Sequence, residues 1–158
     1  MNASLILCLA FAIGVIAGLR TFTAPAVVCW AAYLGWINLR GSHLSFLGSI
    51  VTVVIVSLLA IFELVNDKLP KTPSRTTPGP FGARIVSGAL SGAALAIAGA
   101  QVVLLGALVG IVGAVVGTFG GYQARHQIVT QLKVKDIGVA LVEDLIAIGG
   151  GLLIVTRF

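Results

Sequence analysis

Five long runs of apolar residues dominate the pattern of hydrophobic and polar positions along the chain. They cover residues 3–19, 46–65, 81–99, 101–120 and 136–155. A bilayer core is crossed by about 20 apolar residues in a helix, with roughly 17 to 25 allowed. The pattern therefore predicts five transmembrane helices, the third and fourth joined by a tight turn at Gly99 and Ala100. A shorter apolar run, residues 24–37, predicts a half-helix or re-entrant segment.

Composition agrees with this membrane interpretation. The 158 residues are 58% hydrophobic and only 9% charged, whereas a soluble domain carries about 25% charged residues. We expect one all-α domain over residues 1–158, a polytopic membrane helix bundle. The net charge of +5 is spread too thinly for nucleic acid. Motifs of hydrolases, nucleotide-binding proteins and zinc proteases are absent from the sequence, so neither enzyme activity nor a catalytic residue, metal or cofactor is expected.

The basic residues predict an orientation, because positively charged loops stay in the cytoplasm. With five spans and a cytoplasmic N-terminus, the loops at residues 68–84 and 122–135 both lie inside. They hold Lys68, Lys71, Arg75, Arg84, Arg125, Lys133 and Lys135. Arg20, Arg40 and Arg157 then lie outside. In the alternative arrangement residues 24–37 also span, and the N-terminus lies outside.

Four GxxxG pairs predict close helix packing, because small residues let helix backbones approach each other in lipid. The pairs are Gly14 and Gly18, Gly88 and Gly92, Gly106 and Gly110, and Gly113 and Gly117. They indicate a compact bundle. Such a face serves equally well between chains, so we also expect a homo-oligomer, with a dimer favoured.

Two weak internal similarities suggest an inverted repeat. IGVIAGLRTF at residues 13–22 resembles VGAVVGTFGG at residues 112–121, and LVND at residues 64–67 recurs as LVED at residues 141–144. The predicted helix at residues 81–99 between the two halves would invert the second half. Inverted repeats with broken helices are typical of transporters, although the two aspartates would lie at different depths.

Four carboxylates stand in or beside the apolar runs, where an acid costs several kcal/mol unless it faces a partner or water. Glu143 and Asp144 lie inside the last span, pointing roughly 100° apart. Glu63 and Asp67 share one helix face through their four-residue spacing, which suits a cation site or a proton relay. The alternative for this second pair is a helix end at the headgroups.

Two arginines follow apolar runs directly. Arg20 stands at the break after the first run and predicts a counter-charge to a membrane acid, an anion contact, or an arginine that reaches the membrane surface. Arg125 occupies the analogous place after the fourth run. For Arg125 an ordinary loop position is the alternative.

Several of these segments together resemble a known family. They are GLRTFTAPA at residues 18–26, ELVNDKLPKTPSRTTPGPFGARIVSGAL at residues 63–90, GGYQARHQIVTQL at residues 120–132, and ALVEDLIAIGGGLLI at residues 140–154. This set is similar to the DUF4126 family of small bacterial membrane proteins. The resemblance implies a multi-pass protein of the bacterial cytoplasmic (inner) membrane and supplies no substrate.

Two hypotheses of function follow. The first is a small transporter or channel for a solute or ion, with a polar cavity lined by Glu63, Asp67, Glu143, Asp144, Arg20 and Arg125, in which Glu63 and Glu143 couple protons or cations. The second is a membrane scaffold or accessory subunit, in which the acids and Arg20 form buried ion pairs. A path requires carboxylates that face a water-filled cavity, whereas a scaffold requires each acid to be paired.

Overall fold

The computed structural model describes residues 2–67, 76–132 and 136–158, and every regular element in these ranges is helical. The predicted all-α fold is thus confirmed. Lys68, Lys71, Arg75, Lys133 and Lys135 lie outside the described residues. The elements are α1 (Ala3–Leu19), α2 (Thr23–Tyr33), a 3-10 turn (Ser45–Gly48), α3 (Ile50–Asn66), α4 (Pro78–Ala98), α5 (Val103–Leu132) and α6 (Asp136–Val155).

Helix lengths match a membrane protein. Three segments are long and apolar enough to cross a bilayer, namely Pro78–Ala98, Val103–Gln131 and Ile137–Val155. The helices α1 and α3 have 17 residues each, the lower limit of roughly 17 for a span. With 11 residues, α2 is a short helix as predicted, although it ends at Tyr33, before the predicted end at residue 37. The bounds of α1 and α6 coincide with the predicted ones, whereas α3 begins only after Ser49, whose side chain accepts a hydrogen bond from Thr52 N.

The predicted bounds of two loops were wrong, because part of each loop is helical in the structure. The segment after residue 121 is helical, because α5 continues to Leu132 and reaches about 45 Å at 1.5 Å per residue. No proline or glycine follows Gly121 in α5 to stop it. Arg84, predicted in the preceding cytoplasmic loop, lies on α4. That helix starts earlier because Pro78 and Pro80 occupy its first turn, where a missing N–H costs little.

Close contacts between helices define two ends of the bundle. We call the end at which α1 and α3 finish the Asp67 end, because Asp67 contacts Arg20 there. At this end α4 also begins, since Arg84 binds the last carbonyls of α1. The N-terminal part of α1 lies at the opposite end, where Ile6 abuts Gly99. We call it the Arg40 end, as it also holds the connection between α2 and α3.

These directions correct the leading topology predicted from the sequence. That arrangement put the N-terminus and the loop between α3 and α4 on one side of the membrane. In the structure α2 returns the chain to the Arg40 end, because Trp30 of α2 pairs with Ser57 of α3 while Thr21 meets Glu63. The N-terminus and that loop therefore lie at opposite ends, as in the alternative arrangement.

The predicted inverted repeat is not formed by the described helices. Gly14 faces Gly110 and Gly18 faces Ala114, so α1 and α5 run in the same direction. An inverted repeat would require them to run in opposite directions. Moreover, α5 continues through Gly121, where the second half was predicted to break.

The GxxxG pairs form the contact between α1, α4 and α5. A side chain at any of these eight glycines would overlap a neighbouring helix, in most cases its backbone. The backbones approach so closely because no Cβ atom separates them. All four pairs are therefore used within the chain, and none of them is left as a face for a second copy.

A tight turn at Gly99 and Ala100 joins α4 to α5, as the sequence predicts. Gln101 N donates to Ala96 O at 2.8 Å and Ala100 N to Ile97 O at 3.0 Å, the two bonds of a Schellman motif. Ala100 has a φ of +53°. This left-handed conformation favours glycine and costs a non-glycine residue about 1–2 kcal/mol.

Ala100→Gly is accordingly expected to raise the free energy of unfolding by about 1 kcal/mol, because glycine adopts this conformation without steric cost. Unfolding in mixed micelles by increasing sodium dodecyl sulfate, followed by circular dichroism, measures the change. Ala98→Gly is the matched control. It should lower the stability by about 1 kcal/mol, because Ala98 is helical. A loss of stability in both variants would contradict the expectation.

Candidate functional site

The site begins at the break between α1 and α2. Arg20 follows α1 in an extended conformation, with φ −139° and ψ 116°. The break leaves helix-end carbonyls on one side and helix-start N–H groups on the other, and both need partners. The side chain of Arg20 is 0% exposed. Charged side chains from four other helices surround this break.

Glu63 of α3 binds the start of α2. Its Oε1 accepts from Thr21 N at 2.6 Å and its Oε2 from Phe22 N at 2.8 Å. Phe22 stands in the capping position but cannot cap the helix with its own side chain. A carboxylate is also favoured at a helix start by the helix dipole. Glu63 is therefore a cap supplied by a different helix, which explains its presence in an apolar run.

Arg84 of α4 binds the end of α1 in a complementary way. Its Nη1 donates to Gly18 O at 2.6 Å and Leu19 O at 2.7 Å, and its Nη2 lies 3.8 Å from Glu63 Oε1. A cation at a helix C-terminus is favoured by the dipole. Arg84 is 3% exposed. The sequence analysis assigned it to a loop, and its spacing after Pro78 and Pro80 was the signal that could have placed it inside α4.

Hydroxyl groups complete the support of the break. Ser87 Oγ donates to Thr21 O, and Thr118 Oγ1 donates to Ala114 O at 2.8 Å and lies 3.3 Å from Gly18 O. Both side chains are buried. They hold the chain between α1 and α2 against α4 and α5.

Arg20 itself joins α1 to the carboxylates of α3 and α6. Its Nη1 forms an ion pair with Asp67. Its Nη2 lies 2.6 Å from Asp144 Oδ1 and 3.8 Å from Glu143 Oε2. The planar guanidinium presents donors in fixed directions, which suits contact with several carboxylates at once.

Glu143 also contacts a second arginine. Arg125 Nη1 on α5 lies 3.7 Å from Glu143 Oε2, and the Arg125 side chain is 20% exposed. We define the gate group as Arg20, Asp67, Arg125, Glu143 and Asp144. Two arginines face three carboxylates, so the group has a formal charge of −1 when all are ionised. The Glu63 and Arg84 pair beside it adds no net charge.

The gate group lies where α1 and α3 end, since Arg20 and Asp67 are the residues that follow these two helices. Glu143 is seven residues into α6, about 10 Å at 1.5 Å per residue. Glu143 and Asp144 are 9% and 7% exposed. Charges with so little exposure depend on one another for compensation.

All six residues that the sequence analysis proposed for a site meet in this network. Asp67 contacts Arg20, and Arg125 lies on a helix instead of in a loop. The adjacent residues Glu143 and Asp144 both reach Arg20, and Glu143 also reaches Arg125 of α5. Among the residues that the structure describes, Arg84 is the one charged member of the network that the sequence analysis did not propose for a site.

Comparison with known proteins adds one match. The model of a family described as Domain of unknown function (DUF4126) matches residues 7–157, nearly the whole chain. No curated protein and no solved structure matches the chain. The match includes every charged residue of the network.

Proposed function

The chain belongs to the DUF4126 family, and since that description assigns no activity, we propose from the charged network that this is a small membrane transporter or channel. Its gate group would close a path for a small solute or ion at the Asp67 end. The observation that carries this proposal is the group of three carboxylates and two arginines around the break between α1 and α2, in which Glu143 lies about 10 Å into α6.

The energetics of buried charges support this proposal. Ion pairs taken out of water often stabilise a protein less than apolar residues of similar volume would. Ionisable residues inside a membrane accordingly mark ion paths, proton relays and substrate sites. Here the charges also surround a break between two helices, and broken helices line the sites of many transporters.

Within this proposal Glu143 is a better coupling residue than Glu63. Both oxygens of Glu63 accept the backbone hydrogen bonds that cap α2, so a proton or cation taken up by Glu63 would break this cap. Glu143 meets Arg20 and Arg125 at 3.8 and 3.7 Å, longer than hydrogen bonds. Exchange of these two contacts for a proton or a cation leaves the cap of α2 intact.

A second candidate is the scaffold or accessory subunit. It is favoured by the pairing of Glu63, Asp67, Glu143 and Asp144, each of which contacts an arginine or a backbone N–H. In this function the network would fix the positions of α1, α3 and α6 and conduct nothing.

Flux measurements on proteoliposomes test the proposal. Glu143→Gln removes the excess charge of the gate group, so flux driven by a proton or cation gradient is expected to fall about tenfold or more, a change of about 1.4 kcal/mol in the barrier. Glu63→Gln is the matched control, since it makes the same chemical change one contact away. It should lower stability and spare most of the flux.

Two other outcomes would contradict the proposal that the gate group lies on a path. Equal flux in wild type and Glu143→Gln would remove the gate group from the path. Absence of flux in the wild type under proton, sodium and anion gradients, with both variants inserted but less stable, would establish the scaffold.

The proposal includes an orientation in the cytoplasmic (inner) membrane. Five bases belong by sequence to the connections that leave the Asp67 end, namely Lys68, Lys71, Arg75, Lys133 and Lys135, although they lie outside the described residues. Only Arg40 and Arg157 stand near the other end. The positive-inside bias supports a cytoplasmic Asp67 end. The N-terminus would then lie outside, in place of the cytoplasmic position expected from the sequence.

A homodimer also belongs to the proposal. Because the GxxxG pairs are used within the chain, a second copy would have to pack on a different surface. The outward face of α3 is available, as Val51, Leu58 and Phe62 are each more than half exposed.

A further inference from the structure

A cleft separates α3 from α6 on the side of the bundle that faces the bilayer. Its floor is α2, with Thr23, Ala26 and Val27 all less than 9% exposed. Its walls are Ile61 of α3 and Leu152 of α6, which are 58% and 41% exposed. The cleft has a volume of about 260 Å³. It is thus open to the surroundings of the helices and closed toward the core.

The walls are almost entirely apolar, so water is not a stable occupant. A cavity holds a water molecule only if the water finds two to four polar partners. Carbon atoms of Ala60, Leu64 and Ile148 provide none. In a membrane the molecules that surround such an opening are hydrocarbon chains, and they fill it without losing hydrogen bonds.

The two ends of the cleft differ in polarity. At the Arg40 end, Trp30 Nε1 donates to Ser57 Oγ at 3.0 Å, so these groups satisfy each other. At the Asp67 end, Thr23 is 3% exposed and its Oγ1 has no hydrogen-bond partner among the described residues. A buried hydroxyl without a partner costs free energy. The ester carbonyl of a phospholipid is an acceptor of the kind that this hydroxyl lacks.

From these features we propose that the cleft binds one acyl chain of a bilayer phospholipid. The ester end lies at Thr23, and the methyl end extends toward Trp30. From Leu64 to Ser57 the cleft extends over eight residues of α3, about 10 Å along the helix. The headgroup is then at the Asp67 end, beside the gate group. This lipid site does not depend on transport and would stand if no flux were found.

Trp30 gives a direct spectroscopic test of the chain position. The protein has two tryptophans, so Trp36→Phe leaves Trp30 as the single fluorophore. Phosphatidylcholine brominated near the chain end should quench Trp30 more strongly than lipid brominated near the ester. Equal or reversed quenching by the two lipids would overturn the proposed direction of the chain.

Two substitutions test whether the cleft retains a lipid. Ala60→Phe places a ring in the cleft, and the retention of a co-purified phospholipid should fall about tenfold. Val51→Phe is the matched control on the outward face of the same helix, where Val51 is 63% exposed, and should retain the lipid. Native mass spectrometry in mild detergent counts the bound molecules.

Thr23→Val keeps the volume of the side chain and removes its hydroxyl. Loss of one neutral hydrogen bond should weaken lipid retention about fivefold, while the circular dichroism melting curve stays close to that of the wild type. Retention unchanged in both Ala60→Phe and Thr23→Val would refute the site. If a cross-link between the α3 helices of two copies prevented brominated lipid from quenching Trp30, the cleft would be a dimer contact instead.

Discussion

Gly110→Ala is expected to separate α5 from α4 and to lower the free energy of unfolding by at least about 3 kcal/mol, the upper part of the range for overpacking. A Cβ atom at position 110 would overlap the carbonyl group of Gly88 and approach Gly92 Cα to 3.2 Å. Both neighbours are backbone atoms in helices, so neither can turn aside. The helices would have to move apart, and the contact of α5 with Gly14 would be disturbed as well.

Gly149→Ala is the matched control for this prediction. Gly149 is also helical, but an added Cβ would meet no heavy atom within 4 Å. Because alanine has a higher helix propensity than glycine, this change should be neutral or slightly stabilising. Unfolding by sodium dodecyl sulfate in mixed micelles measures both variants. Similar midpoints for the two would contradict the packing of α1, α4 and α5 described above.

The second large effect is expected for Arg20→Gln. This change takes away the guanidinium that contacts Asp67, Glu143 and Asp144. Breaking a buried ion pair by removing one partner costs about 3–5 kcal/mol, because it leaves uncompensated charge. We therefore expect a strongly destabilised protein, or one that is recovered only in part after insertion. Arg157→Gln, an exposed arginine near the Arg40 end, should have little effect.

A rescue experiment separates charge balance from packing. Arg20→Gln combined with Asp67→Asn and Asp144→Asn removes two carboxylate charges together with the arginine. If the loss in the single variant arises from unbalanced charge, the triple variant should recover most of the midpoint. A triple variant that is even less stable would mean that the shape of the arginine, rather than its charge, holds α3 and α6 in place.

The candidate site was largely predictable because charges in apolar runs are conspicuous. Glu63, Glu143 and Arg20 could each be selected from the sequence by their cost in lipid alone. The sequence did not reveal that Glu63 caps α2, since the N–H groups of Thr21 and Phe22 become available only where the chain breaks. Arg84 was missed because the prolines before it have the composition of a loop, although proline is also common at the start of a helix.

The sequence by itself determined that this is an all-helical membrane protein with six apolar segments, one of them half-length. It could do so because the length and hydropathy of a segment are local properties, and each helix must match the bilayer core by itself. It also determined the tight turn at Ala100.

Only the tertiary structure decided how the segments are arranged. It placed the ends of α1 and α3 together, directed the GxxxG pairs into the chain, and gathered Asp67, Arg125 and Asp144 around one break. Such choices depend on contacts between residues far apart in the chain, as Arg20 with Asp67 and with Asp144 illustrate. Small residues and charges make close contact attractive wherever they stand, and which surfaces meet is settled only when all the helices pack at once.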